Sequence, residues 1–126
     1  MKIAIGSDHG GFELKETLIP YIMELGYEIK DLGCYEKTSC DYPDYGFAVG
    51  EAVRDGGCER GIAICSTGIG ISISANKVEG IGCALCTNAF MAKAARETCN
   101  ANVLALGGLV TDKNTAKEIV RTFLGE

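Results

Sequence analysis

Short apolar runs alternate along the chain with longer stretches in which apolar residues recur at helical spacing. The runs predict five buried strands and the stretches predict five helices. The predicted strands are 2–6, 27–32, 61–65, 81–86 and 103–106, and the predicted helices are 11–25, 45–55, 71–77, 88–99 and 112–124. Strands that alternate with helices indicate βαβ units, which build a parallel sheet covered on both faces. The expected fold is therefore a three-layer, doubly wound (Rossmann-like) α/β fold with a mostly parallel five-stranded sheet.

Local signals refine the boundaries of these elements. Pro20 lies inside the first predicted helix and predicts a kink or a local break there. Gly26 fits the C-terminal cap of that helix, and Asn88 fits the N-cap of the fourth. The polar, turn-like segment 33–43 is a candidate functional loop.

Length and composition favour one folded domain spanning residues 1–126. Hydrophobic residues make up 47% of the chain, which is enough for a real core. The formal net charge is −5 and no basic stripe is present, which argues against nucleic-acid binding. An anionic small substrate stays open, because backbone N–H groups and a few local cations can hold a phosphate.

The seven cysteines are best explained by an intracellular location. No apolar run is long enough for a signal peptide or a membrane span. An odd number of cysteines in such a chain predicts reduced thiols, and the predicted compartment is the cytoplasm. Cys83 and Cys86 have C-x-x-C spacing, but residues three apart on a strand point to opposite faces. Two buried thiols are therefore expected there, rather than a metal or redox pair.

Polar and glycine-rich clusters follow the first, third and fifth predicted strands. These clusters are 7–11, 66–70 and 107–108. In doubly wound sheets, ligands bind beyond the carboxyl ends of the strands. The three clusters are therefore the first candidates for a functional site.

The exit of the third strand carries the strongest local signal. The sequence CSTGIG between a strand and a helix predicts a concave turn of backbone N–H groups at a positive helix end, which stabilises an oxyanion. Cys65 is the last strand residue, and its thiol is expected at the rim, where these groups favour the thiolate. The alternative is a small buried cysteine before an ordinary glycine turn.

Three further residues have both a functional and a structural interpretation. His9, the one histidine of the sequence, follows the first strand beside Asp8, where ligand sites concentrate, although a lone histidine is more often structural. Tyr42 is a pocket candidate or a packed aromatic residue beside a proline turn. Asp31 could mimic the ribose-binding acid of a dinucleotide fold, but no G-x-G-x-x-G or P-loop pattern accompanies it.

Four stretches together resemble the ribose-5-phosphate isomerase B and galactose-6-phosphate isomerase family. They are IAIGSDHGGFELK, DYPDY, GIAICSTGIGISISANK and NANVLALGG. The stretches occur in the family's order and are distributed from residue 3 to residue 108. Asp8-His9 and the C-x-T-G-x-G pattern that starts at Cys65 have the expected separation.

This resemblance implies an aldose–ketose isomerase that acts on a phosphorylated sugar, of the ribose 5-phosphate/ribulose 5-phosphate type, through a cis-enediolate. Cys65 would be the base, Thr67 would assist, and Asp8 would bind sugar hydroxyls and help to move a proton between oxygens. The residues implied to bind substrate are His9, Tyr42, Ser66, Gly68, Ile69, Gly70 and Cys99. No metal or organic cofactor is implied. In the family, His9 contributes to a neighbouring subunit's phosphate site, which implies a homodimer or homotetramer.

The chain departs from the family pattern at several positions. Many members have a His-Asn pair, with the histidine thought to open the sugar ring, where this chain has Thr98 and Cys99. An arginine is usual at the position of Leu109 and common at that of Gly82, and relatives usually carry a longer basic tail. Proton transfer is therefore expected to be intact, with weaker ring opening and phosphate binding.

Three interpretations follow from these departures. The chain could be a self-sufficient isomerase with rearranged phosphate contacts. It could act on a four-carbon sugar phosphate, which cannot close a five-membered ring. It could also be the cysteine-bearing subunit of a heteromer of the galactose-6-phosphate isomerase type, with a related partner subunit. A sugar-phosphate-binding module without catalysis is the non-enzyme alternative, although pure binding would not need Asp8, Cys65 and Thr67 together.

Overall fold

Apolar runs form a five-stranded sheet in the computed structural model, which describes residues 1–34 and 41–125. The strands are β1 (Lys2–Ser7), β2 (Glu28–Asp31), β3 (Arg60–Cys65), β4 (Cys83–Leu85) and β5 (Val103–Gly107). The helices are α1 (Phe12–Glu24), α2 (Tyr42–Arg54), α3 (Ile69–Asn76), α4 (Ala89–Glu97) and α5 (Lys113–Gly125). A short 3₁₀ turn at His9–Gly11 leads into α1.

All strand pairs are parallel, in the order β2-β1-β3-β5-β4. This arrangement confirms the predicted doubly wound α/β class. From β1 the chain crosses to β2 on one side, and from β3 it crosses to β4 on the other. The carboxyl ends of β1 and β3 therefore flank the switch point at which such sheets open a crevice for ligands.

Each face of the sheet has its own hydrophobic core. On one face, the side chains of Ile3, Ile5 and Ile62 pack under α1, α4 and α5. On the other, Ala4 and Ala63 pack under α2 and α3. The smaller strand residues on this second face bring α2 and α3 close to the strands that carry the candidate site.

The first helix differs from the sequence prediction at Pro20. Helix α1 runs through this residue, so the predicted local break is wrong. Because proline has no N–H, the Glu16 carbonyl lacks its hydrogen-bond donor within the helix. Glu16 and Pro20 are both exposed, so water can solvate that carbonyl. The predicted cap at Gly26 is confirmed: its φ is +98°, and the Tyr27 N–H donates to the Ile22 carbonyl at 3.4 Å.

Each of the other elements differs from its predicted bounds by one to three residues. Helix α2 begins at Tyr42 instead of 45, because Pro43 occupies its first turn, where a missing N–H costs nothing. Strand β4 is limited to Cys83–Leu85. Of the candidate loop 33–43, residues 35–40 lie outside the described part.

None of the described helices has the length and apolar character needed to cross a membrane.

The described cysteines are not all reduced. Cys34 is disulfide-bonded, so the prediction of reduced thiols is wrong at this position. The other described cysteines are free, and Cys83 and Cys86 pack on opposite faces of the sheet, as predicted. Burial raises the pKa of Cys83 to about 12 and that of Cys86 to about 11.

These raised pKa values predict selective thiol chemistry. Cys86 is buried and Cys83 half-buried, and at pH 8 both thiols are protonated and therefore poor nucleophiles, whereas Cys99 is exposed. Brief treatment of the folded protein with iodoacetamide should label Cys99 and leave Cys83 and Cys86 unlabelled in a peptide mass map. Labelling of all three at equal rates would contradict this expectation. Treatment in denaturant supplies the fully labelled control.

Candidate active site

The exits of β1, β3 and β5 come together at the carboxyl edge of the sheet. We call residues 7–11, 65–70 and 107–109 the exit cluster. The Gly108 N–H donates to the Cys65 carbonyl at 2.7 Å, and the Leu109 N–H donates to the Ser66 carbonyl at 3.0 Å. A Cβ at Gly108 would lie 2.8 Å from the Gly10 carbonyl oxygen. The predicted convergence of the three glycine-rich clusters is therefore present within one subunit.

The sulfur of Cys65 is held at the beginning of α3. Its side chain is 4% exposed, and Sγ accepts a hydrogen bond from the Gly68 N–H at 3.1 Å. Gly68 makes this possible with a φ of +82°. A Cβ at this position would lie 2.5 Å from Leu85 Cδ1 and 3.0 Å from the carbonyl carbon of Leu106. Only glycine therefore fits the turn without a rearrangement.

Backbone donors follow the sulfur into the first turn of α3. The first N–H groups of a helix have no acceptor within it and lie at its positive end. The Ile69 N–H donates to Thr67 Oγ1 at 3.2 Å, which orients the threonine side chain. The N–H groups of Gly70 and Ile71 also belong to this turn. The arrangement can stabilise a negatively charged oxygen near the sulfur.

Asp8 is fixed at the neighbouring exit of β1. Its carboxylate is largely buried, and Oδ1 accepts a hydrogen bond from the Gly11 N–H at 3.0 Å. The Asp8 N–H donates at 3.1 Å to the carbonyl of Ile64, the residue before Cys65. The side chain of His9, the first residue of the 3₁₀ turn, is exposed. Asp8 and Cys65 thus lie at the carboxyl ends of two adjacent strands of the sheet.

Tyr42 reaches the exit cluster from α2. A Cβ at Gly70 would lie 2.9 Å from Tyr42 Cε1, so the ring packs directly on the beginning of α3. The side chain is also 43% exposed. The ring is therefore packed against α3, as the structural interpretation expected, and a role of Tyr42 in a sugar pocket stays a prediction.

Cys99 lies at the opposite edge of the sheet. Helix α4 leaves the carboxyl end of β4 and returns to the amino edge, where the Asn102 N–H donates to the Gly82 carbonyl at 3.0 Å. Within one subunit, Thr98 and Cys99 are therefore not brought to Cys65. The predicted contact of Cys99 with the substrate would need a second copy of the chain.

The sequence reasoning missed how closely the backbones of the exit cluster approach one another. A Cβ at Gly10 would clash with Ser66 Oγ, and one at Gly107 would lie 2.6 Å from the Thr67 carbonyl oxygen. Paired glycines after two strands were the available signal.

Among residues 1–34 and 41–125, no three His, Cys, Asp or Glu side chains cluster as metal ligands would.

Comparison with known proteins assigns the chain to a family. The sequence pattern of the family described as Ribose/Galactose Isomerase matches residues 3–126. The chain belongs to this family. Ribose-5-phosphate isomerase B of Clostridium thermocellum superposes with a TM-score of 0.97 at 53% identity, covering 98% of this chain and 84% of that one.

Two curated relatives extend the comparison. Ribose-5-phosphate isomerase B of Escherichia coli is 43% identical over 98% of this chain and 83% of its own length. D-erythrulose-4-phosphate isomerase of Pectobacterium atrosepticum is 40% identical over 98% of this chain and 82% of its own length. The chain is therefore a sugar-phosphate isomerase, an intramolecular oxidoreductase, and relatives of nearly equal identity act on sugars of different length.

Proposed function

We propose that the enzyme interconverts ribose 5-phosphate and ribulose 5-phosphate with Cys65 as the base that transfers the proton. One observation carries this proposal: Sγ is held by the Gly68 N–H at the positive end of α3, beside further backbone donors. A thiolate there would lie next to groups suited to an enediolate oxygen. Two relatives described above bear the name of ribose-5-phosphate isomerase B.

The reaction is an isomerisation, so the substrate and the product contain the same atoms. The Cys65 thiolate removes the proton from C2 of the open-chain aldose, and the C2–H electron pair forms the C1–C2 double bond of a cis-enediolate. A proton moves from the C2 hydroxyl to O1, so that O2 becomes the carbonyl oxygen. The Cys65 thiol then returns its proton to C1, which yields the ketose and restores the thiolate.

Other residues of the exit cluster support these steps. The first-turn N–H groups of α3, including those of Gly70 and Ile71, bind the enediolate oxygens. Asp8 binds the sugar hydroxyls and helps to move the proton between O1 and O2. Thr67 assists beside them and Tyr42 lines the sugar pocket.

We also propose that the working enzyme contains more than one copy of the chain. Large apolar side chains are exposed near the site, with Leu109 at 76%, Val110 at 62% and Phe90 at 81%. Covering them against another subunit would remove apolar surface from water. Such an assembly could also present Cys99 and the exposed His9 of one copy to the site of another.

Solvent isotope exchange tests the proposed reaction. Incubation with ribose 5-phosphate in D₂O should yield ribulose 5-phosphate with one deuterium at C1, and the reverse reaction should place deuterium at C2 of the aldose. Both are measured by NMR. Exchange arises because the abstracted proton can leave the thiol before it returns. Turnover of ribose 5-phosphate without any solvent deuterium would contradict a base that equilibrates with solvent.

A substrate panel separates the remaining interpretations. Erythrose 4-phosphate, allose 6-phosphate and galactose 6-phosphate would be assayed beside ribose 5-phosphate with the purified single chain. A clear preference for the pentose supports the proposal. Preference for erythrose 4-phosphate would move the substrate to the four-carbon class. Binding without exchange for any of the sugars would support a non-catalytic module or a subunit that needs its related partner.

A further inference from the structure

A buried ion pair links α1 to the end of β2 beneath the exit of β1. The Lys15 side chain is fully buried, and its Nζ lies 3.0 Å from both carboxylate oxygens of Asp31. Nζ also lies 2.9 Å from Glu16 Oε1, although the Glu16 side chain is half exposed. Burying an ammonium group costs several kcal/mol unless it is paired. The pair is therefore a fixed element, not a surface contact.

Asp31 uses the same carboxylate to hold the chain that follows β2. Its Oδ1 accepts a hydrogen bond from the Gly33 N–H at 2.9 Å. The Gly33 carbonyl then accepts from the Ser7 N–H at 2.8 Å, and the Cys34 N–H donates to the Ser7 carbonyl at 3.0 Å. The segment 32–34 thus continues the pairing with β1 beyond the end of β2, up to the last residue of β1.

This pairing ends next to Asp8. Ser7 is held by the segment 32–34 on one side, and the Asp8 N–H is held by Ile64 on the other. Asp8 also caps the 3₁₀ turn that leads into α1, the helix that carries Lys15. The Lys15–Asp31 pair is therefore connected to Asp8 both through the helix and through the segment beside Ser7.

We propose that Asp31, fixed in place by Lys15, is a positioning residue that holds Asp8 relative to Cys65 through its hydrogen bond from the Gly33 N–H. This role rests on the proposed function of Asp8. It also gives Asp31 a different task from the ribose-binding acid that its place at the end of β2 suggested, because its carboxylate is engaged by Lys15 and Gly33. Small displacements of catalytic groups cost up to about 100-fold in rate.

Two substitutions of Asp31 separate its hydrogen bond from its charge. Asp31→Ala removes both, takes from the buried Lys15 ammonium its Asp31 partner and should lower kcat at least about tenfold with KM changed less than about twofold. The double variant Lys15→Met/Asp31→Asn removes both charges but keeps an amide oxygen for the Gly33 N–H. It should recover kcat to within about threefold of wild type.

Two controls report on stability without touching the site. Asp55→Ala removes an exposed pair with Arg54 and should leave kcat unchanged. Val120→Ala opens a core gap under α5, far from Asp8, and should lower Tm while preserving kcat. Amide hydrogen exchange adds a readout independent of activity: protection of Ser7 and Gly33 should fall in Asp31→Ala and persist in the double variant.

The outcomes distinguish this role from the proposed function. If the wild type is active and Asp31→Ala has the wild-type kcat, measured well below the Tm of the variant, the positioning role alone is overturned. The role is also overturned if Val120→Ala has the same Tm as Asp31→Ala and loses as much kcat. If Asp31→Ala does not fold, the double variant decides, because a tenfold loss of kcat there would also contradict the role. A wild type that incorporates no solvent deuterium into the sugar would instead contradict the proposed reaction. The amide hydrogen-exchange comparison would then decide whether the pair holds the Asp8 backbone.

Discussion

Cys65→Ala is expected to lower the isomerisation rate about 1,000-fold or more, because it removes the group that carries the proton between C1 and C2. The fold should persist, since alanine fills most of the small buried space. The lost hydrogen bond from the Gly68 N–H should cost about 1 kcal/mol of unfolding free energy. Turnover of ribose 5-phosphate and deuterium incorporation from D₂O measure the rate, and thermal unfolding measures the stability.

Cys58→Ala is the matched control for this variant. Cys58 is also buried, packs in the same core as Cys65 and is a free thiol, but it lies before β3, at the opposite end of that strand. Its removal should leave turnover and exchange unchanged. Substantial deuterium exchange by Cys65→Ala, or an equal loss of rate in both variants, would remove the thiol from the proposed mechanism.

Gly68→Ala is expected to damage both stability and turnover. The left-handed conformation costs a non-glycine residue about 1–2 kcal/mol. The added Cβ would also approach Leu85 Cδ1 to 2.5 Å and the carbonyl carbon of Leu106 to 3.0 Å. Relief of these contacts must rotate the turn, which moves the Gly68 N–H away from the Cys65 sulfur. The same rotation displaces the first-turn N–H groups of α3, and loss of one donor to a developing oxyanion typically costs about 100-fold or more in kcat.

Gly80→Ala separates the backbone strain from the damage to the site. Gly80 has a φ of +85°, close to that of Gly68, but a Cβ there would meet no atom within 4 Å. This variant should lose about 1–2 kcal/mol of stability and keep full turnover. Gly68→Ala should unfold at a lower temperature and lose turnover as well. Equal activity of the two variants would show that the turn at Gly68 does not matter for the reaction.

The strand exits were predictable from the sequence because their signals are local. A strand ending at Cys65, followed by glycines at 68 and 70, predicts a turn of backbone donors wherever the chain folds. The alternation of strands and helices likewise predicts that this turn lies at the carboxyl edge of a parallel sheet. Packing of Tyr42 on Gly70 was open in the sequence, because it depends on how α2 and α3 approach each other.

The sequence by itself determined the class of fold, the exit of β3 and the cap of α1 at Gly26, because neighbouring residues impose these features. Only the tertiary structure decided that Asp31 pairs with Lys15 and that Cys99 lies at the far edge of the sheet. Each of these depends on which segments meet across the fold. Such contacts follow from strand order and helix packing, and both depend on residues that are distant from one another in the chain.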